Sequence, residues 1–332
     1  MIICRTPYRI SFFGGGTDYP VWYRENKGAV LATAINKYCY ITCRHLPPFF
    51  EHKNRIAYSK IEYTQDINEI QHPAVRECLN FMNINTGVEI HHDGDLPARA
   101  GLGTSSSFTV CLLNALYALN GKIVTKRQLA LNAIHVEQNM IKENVGSQDQ
   151  VTAAFGGLNK IEFDREHEFQ VQPITISGEK RQLLFGHMML FFTGFSRTAS
   201  EIAGEQIKKT PQKGKELTRM TEMVDEALEI LNGSDSDLTD FGRLLHEGWM
   251  IKRGLTDKIT TNTIDSIYET ARNAGALGGK LLGAGGGGFI LFFVEPEKQQ
   301  KVREKLKNLL YVPFRFDNLG SQIIYYTAEE WK

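Results

Sequence analysis

Residues 101–116 read GLGTSSSFTVCLLNAL. Glycines and a run of hydroxyl side chains lead straight into a helical apolar pattern, with Phe108, Leu112, Ala115, Leu116 and Leu119 on one face. A helix starting here presents first-turn N–H groups that have no partner inside the helix, and its aligned peptide dipoles add partial positive charge. Glycine lets the preceding backbone curl close to a bound group, and phosphate is the natural occupant. Thr104, Ser105, Ser106 and Ser107 can cap the helix, meet phosphate oxygens or ligate Mg2+. An ordinary N-cap after a tight turn would use the same residues. The stretch is not a Walker A loop, because no Gly-Lys-Ser/Thr follows. It also fails the dinucleotide pattern, which needs an acidic residue about 20 positions further on.

Two more glycine clusters stand far from it. KLLGAGGGGF spans residues 280–289, and Gly283, Gly285 and Gly288 satisfy G-x-G-x-x-G. The pattern predicts a helix before these glycines and a strand, FILFFV, after them, which is the wrong order for a Rossmann site. So dense a glycine run entering a buried strand suggests backbone pressed against a ligand, with a flexible turn as the plainer reading. PYRISFFGGGTDY, residues 7–19, reads as a strand carrying Arg9, then glycines, then Asp18. A hairpin turn with a surface aspartate would look the same.

Around these clusters the chain has the balance of a folded protein without a nucleic-acid footprint. It has 332 residues, 42% of them apolar, and 38 acidic residues against 38 basic ones. Its five cysteines match no zinc framework and read as buried reduced thiols, which suits a cytoplasmic location. MIICRTPYRISFF has no basic leader and no long apolar run, so no signal peptide is expected, and no apolar run elsewhere is long enough to span a membrane. Asp240-Phe241-Gly242 lies inside a helical pattern and is read as coincidence, and His91-His92-Asp93 as a polar strand end. Strands are expected over 2–13, 28–45, 86–92, 158–163, 183–193 and 289–294. Helices are expected over 104–119, from Thr125 to about residue 141, and at several places after residue 198. A charged, turn-rich stretch at 164–182 reads as a join between domains 1–165 and 166–332. Strands and helices that do not strictly alternate favour the α+β class.

The three clusters, in this order, resemble the GHMP small-molecule kinases. The first looks like the galactokinase-type motif, with Arg9, Gly14 and Thr17-Asp18-Tyr19 in place. The second matches Pro-x-x-x-Gly-Leu-x-Ser-Ser, from Pro97 through Gly101, Leu102 and Gly103 to Thr104 and Ser105. The third runs from Lys280 to Gly288, and Gly146-Ser-Gln-Asp149-Gln matches the loop of the family's catalytic aspartate. Gly15 and Gly16 stand where galactokinases have Glu-His, a form that resembles the heptose phosphate and fucose kinase branch.

The resemblance implies a two-domain GHMP kinase fold, with a ribosomal protein S5 domain 2-like N-terminal domain and a ferredoxin-like C-terminal domain. It implies ATP and Mg2+ as cofactors and a sugar phosphate phosphorylated at O1. Pro97 and residues 101–107 would cradle the triphosphate, and Ser105 with Glu137 would hold Mg2+, Ser106 being the neighbouring choice. Asp149 would act as base, with Arg9 beside it to offset charge. Gly15, Gly16, Asp18, Gly283, Gly285, Gly286 and Gly287 would meet the sugar, and its phosphate would find a cation among Arg99, Arg197, Lys252 and Arg253. The implied partner is the small-molecule substrate, with no nucleic acid and no membrane, and a homodimer is left open. A catalytically silent sensor is the rival of another class.

Overall fold

The computed structural model describes residues 1–98, 100–194, 199–233 and 237–328. In chain order its strands are β1 (Ile2–Phe13), β2 (Gly28–His45), β3 (Asn54–Ala57), β4 (Ile61–Thr64), β5 (Val88–Gly94), β6 (Leu158–Phe163) and β7 (Gln170–Pro173). Then come β8 (Met188–Phe192), β9 (Ala276–Leu281), β10 (Phe289–Val294), β11 (Leu310–Tyr311), β12 (Phe316–Asp317) and β13 (Gln322–Tyr326). They form a large sheet ordered β13-β1-β2-β5-β3-β4, with β12, β6 and β7 attached through β2, and a small sheet ordered β11-β8-β10-β9. Every pairing is antiparallel except β3 with β5.

β1 positions the site. Its second half, Pro7 to Phe13, is buried without alternation. The helix Thr104–Leu119 packs against β1 and β2, and the helices Gly214–Asn232 and Thr239–Arg253 also reach β1. A strand covered on both faces reads as a continuous apolar run, which is why YRISFF carries so little polarity around its one arginine. The small sheet is buried likewise: all six residues of FILFFV in β10 are inside.

Three local expectations need correction. Residues 183–187 are not strand: the helix Gly178–Gly186 forms first, with Ser177 Oγ accepting from Lys180 N at 3.1 Å, and only 188–192 is extended. A strand, β9, enters the third glycine cluster, because the helix Asn262–Ala274 stops at Gly275 with φ +120°. The cluster therefore joins two antiparallel strands and is still no dinucleotide motif. The helix from Lys126 changes at Val136 into a π-helical turn, Val136–Ile141, which carries Glu137. The large sheet takes in strands from both sides of the 165/166 join. β7 pairs with β6, and β12 and β13 return to β2 and β1 because backbone edges there must be paired.

All five cysteines are buried. Among the described residues no helix is long and apolar enough to cross a membrane.

Candidate active site

The glycine motifs meet around a cleft of about 400 Å³. Gly101, at φ +84°, leaves room for the third motif: a Cβ there would stand 2.5 Å from Leu282 O, and one on Gly283 would stand 2.5 Å from Gly101 Cα. Backbone thus lies directly on backbone, and two distant segments share one wall. Of the third motif, Gly283 and Ala284 line the cleft, whereas Gly285 and Gly286 lean on Ile259 and Gly287 is not on the wall.

Arg9 and Asp149 occupy the cleft floor. The guanidinium donates from Nε to Asp149 Oδ1 at 2.6 Å and from Nη2 to Oδ2 at 2.8 Å, and its Nη1 donates to Gly101 O at 2.7 Å. This two-point pairing fixes both side chains. Gly103 lies against the pair, since a Cβ on it would sit 3.1 Å from Arg9 Cγ and 3.2 Å from Asp149 Oδ2. Gly103 is also the N-cap of the helix Thr104–Leu119, held at φ 69° and ψ 25°, with no side-chain cap on the first turn. Positive helix-end charge is therefore presented beside Asp149.

The hydroxyls divide by direction. Thr104, Ser105 and Ser106 line the cleft. Ser107 turns inward and donates to Pro7 O at 2.9 Å, and Leu102 is in the core. Pro97 is half-buried and not on the cleft wall. Ser106 is the hydroxyl tied to Glu137, at 2.8 Å, and Gln150 Nε2 also donates to that carboxylate. Burial pushes the Glu137 carboxyl up to about 7, against the opposing hydrogen bonds from Thr109, Ser106 and Gln150. Its other oxygen, Oε1, is buried with no hydrogen-bond partner among the described residues. An orphaned carboxylate oxygen beside hydroxyls is a donor set that suits a hard cation such as Mg2+.

On the opposite wall Asp18 is spanned by its own loop, accepting from Gly16 N at 2.9 Å and Gln148 N at 3.3 Å. Burial raises its carboxyl pKa, and the nearby charge of Asp149 adds to this. Gly15, Gly16 and Gln206 complete that side. Among the basic candidates, Lys252 is in the cleft, 5% exposed, with Nζ donating to Leu281 O at 2.9 Å and Gly283 O at 2.6 Å. Burial, with Arg9 nearby, lowers it to about 7. Arg253 instead pairs with Asp265 at 2.9 Å, and Arg99 and Arg197 lie outside the described residues. Lys280, the first residue of the third motif, lines the cleft too and donates to Phe12 O at 2.7 Å. Its pKa is driven well down by burial and by Lys252. Trp22 and Trp249 are core residues.

Two family models match this chain: the GHMP kinases N terminal domain over residues 69–157, and the GHMP kinases C terminal model over residues 223–312. The chain belongs to the GHMP kinase family. As a GHMP kinase it is an ATP-dependent phosphotransferase. The kinase is 26% identical over 313 residues to a D-glycero-alpha-D-manno-heptose 7-phosphate kinase of Campylobacter jejuni, covering 91% of this chain and 92% of that one. It is 25% identical over 333 residues to the bifunctional fucokinase/GDP-fucose pyrophosphorylase of Arabidopsis thaliana, covering 91% of this chain but 30% of that protein. Among solved structures it resembles a D-glycero-D-manno-heptose 1-phosphate kinase from Bacteroides thetaiotaomicron, with TM-score 0.74, 25% identity, and 99% and 100% of the two chains covered.

Proposed function

We propose that this kinase transfers the γ-phosphoryl group of ATP to the anomeric O1 of D-glycero-D-manno-heptose 7-phosphate, giving the 1,7-bisphosphate. The observation that carries the reading is the contact of Gly103, which opens the phosphate-binding helix, with Arg9 and Asp149. A base this close to a phosphate seat brings the acceptor oxygen and phosphorus within reach of each other.

The first-turn amides after Gly103 hold phosphate oxygens of the nucleotide. Ser105 or Ser106, with Glu137, would hold Mg2+, which when bound offsets phosphate charge. Asp149 takes the proton of the acceptor hydroxyl. Its oxygens each keep a lone pair beyond the one given to Arg9, so pairing and proton transfer are compatible. Arg9 orients that carboxylate and balances charge gathering at the transferred group. Gly15, Gly16 and Asp18 meet the sugar, and Lys252 takes its phosphate, with Arg197 a second cation candidate for that role.

The heptose assignment draws on the two heptose kinase relatives, whose names place phosphate at different carbons of the sugar. A fucose-type 1-kinase is the second reading, favoured by the fucokinase similarity. The two buried lysines in the cleft favour an acceptor that already carries phosphate. Product identification by 31P NMR tests the assignment. A new phosphate signal coupled to the anomeric proton supports it, and a phosphate on any other carbon refutes it.

A further inference from the structure

Two buried polar atoms on residues lining the cleft have no hydrogen-bond partner among the described residues: Ser11 Oγ and Gln148 Oε1. Their residues are 6% and 9% exposed. They flank Gly15, because a Cβ built on that glycine would lie 3.5 Å from Ser11 Oγ and 3.6 Å from Gln148 Nε2. Gly14 and Gly16, its neighbours, have φ of +78° and +109°, but Gly15 is not in the left-handed region. Its backbone therefore does not call for glycine. What a side chain would remove there is space between two unpaired polar groups.

Both residues are anchored through their backbones. Ser11 lies in β1 opposite Ala32 of β2. Gln148 opens the helix Gln148–Phe155, with its N–H on Asp18 and its carbonyl accepting from Thr152 Oγ1 at 2.8 Å. Unpaired polar atoms held in this way carry a desolvation cost that a fitting ligand group removes. The chemistry defines that group. A serine hydroxyl gives or accepts, and a carboxamide offers an acceptor and a donor. A sugar hydroxyl matches both, whereas a phosphate oxygen brings no proton for Gln148 Oε1 and is better served by Lys252 and Lys280. The adjoining residue is Asp149, so a hydroxyl seated here anchors the acceptor next to the base.

We propose that Gly15 is kept free of a side chain so that Ser11 and Gln148 can bind one acceptor hydroxyl, other than the one phosphorylated, and thereby select among sugars. This rests on the sugar kinase reading given above.

Gly15→Ala is the direct test, since its methyl meets only ordinary contact distances and the fold accommodates it. Steady-state kinetics with heptose 7-phosphate should show the acceptor KM raised about tenfold or more in Gly15→Ala and in Ser11→Ala, the size of one lost hydrogen bond. The Mg-ATP KM should stay within about twofold of wild type. With a series of monodeoxy acceptors, the Ser11→Ala penalty should vanish for the analogue lacking the seated hydroxyl. Wild-type turnover with an unchanged acceptor KM in Gly15→Ala, or a Ser11→Ala penalty that persists for every deoxy analogue, overturns this proposal alone. If wild type turns over another sugar, the same ratios are read with that sugar. Silence of wild type on every sugar overturns the sugar kinase reading and this inference with it.

Discussion

Arg9 grips Asp149 at two points, Nε to Oδ1 at 2.6 Å and Nη2 to Oδ2 at 2.8 Å, with Gly103 packed against both side chains. Asparagine at 149 can accept at only one of those points and cannot take a proton. Asp149→Asn should lower kcat by about 10²–10⁴-fold while nucleotide affinity is nearly unchanged. Rapid-quench turnover and equilibrium nucleotide binding check this, and wild-type kcat in the variant removes Asp149 as the base.

Gly103→Ala should separate geometry from folding. The residue sits at φ +69°, where an alanine costs about 1–2 kcal/mol, and its methyl would press on Arg9 and Asp149 side chains. A modest drop in Tm with a large drop in kcat is expected. Gly101→Ala meets backbone instead, Leu282 O at 2.5 Å, and should lower Tm further. Paired thermal melts and kinetics of the two variants test the order.

The hydroxyl that accompanies Glu137 is decidable by titration. Ser105 and Ser106 both line the cleft, but Ser106 is buried and bonded to that carboxylate, whereas Ser105 is exposed. Glu137→Gln should raise the Mg2+ concentration needed for half-maximal rate. Comparing Ser105→Ala with Ser106→Ala shows which hydroxyl shares the metal, and an unchanged Mg2+ requirement in Glu137→Gln takes it out of the metal shell.

Lys252 gives the cleft a pH signature. Burial and Arg9 lower it to about 7, with Asp18 and Asp149 opposing and Lys280 close by. At pH 8 the empty site therefore holds Lys252 mostly neutral. A bound phosphate favours the charged form and raises the pKa, so binding takes up protons above about pH 7 and takes up few below it. Calorimetry of heptose 7-phosphate binding in buffers of different ionisation enthalpy should show this uptake at pH 8, and Lys252→Met should reduce it. Proton release at pH 8 would contradict the assignment.

The helix at Thr104 and the Arg9 strand were legible because each depends on local residue order: glycines before hydroxyls, and an apolar run around one arginine. Asp149 came from the resemblance, and where a loop was expected it stands in the first turn of the helix Gln148–Phe155. Partnerships set by distant packing were not. Nothing local distinguishes Ser105 from Ser106, since their positions differ by one step around a helix whose facing carboxylate lies 31 residues away. β9 was hidden because Gly278 and Gly279 offer no pattern, yet a Cβ on Gly278 would stand 1.9 Å from Gly242 O, so glycine is demanded by a helix from elsewhere in the chain. Lys280 is a charged residue in sequence and an interior one in space, 5% exposed. The return of β13 to β1 joins residues more than 300 apart, beyond any local signal.

Phosphoryl transfer to a phosphorylated heptose is measured by ADP release with Mg-ATP across a sugar panel. The panel holds D-glycero-D-manno-heptose 7-phosphate, its 1-phosphate, fucose, galactose, mannose and mevalonate. Turnover with the heptose 7-phosphate and little with the others is the predicted result. Efficient turnover of an unphosphorylated sugar, or nucleotide binding with no turnover on any acceptor, would contradict it.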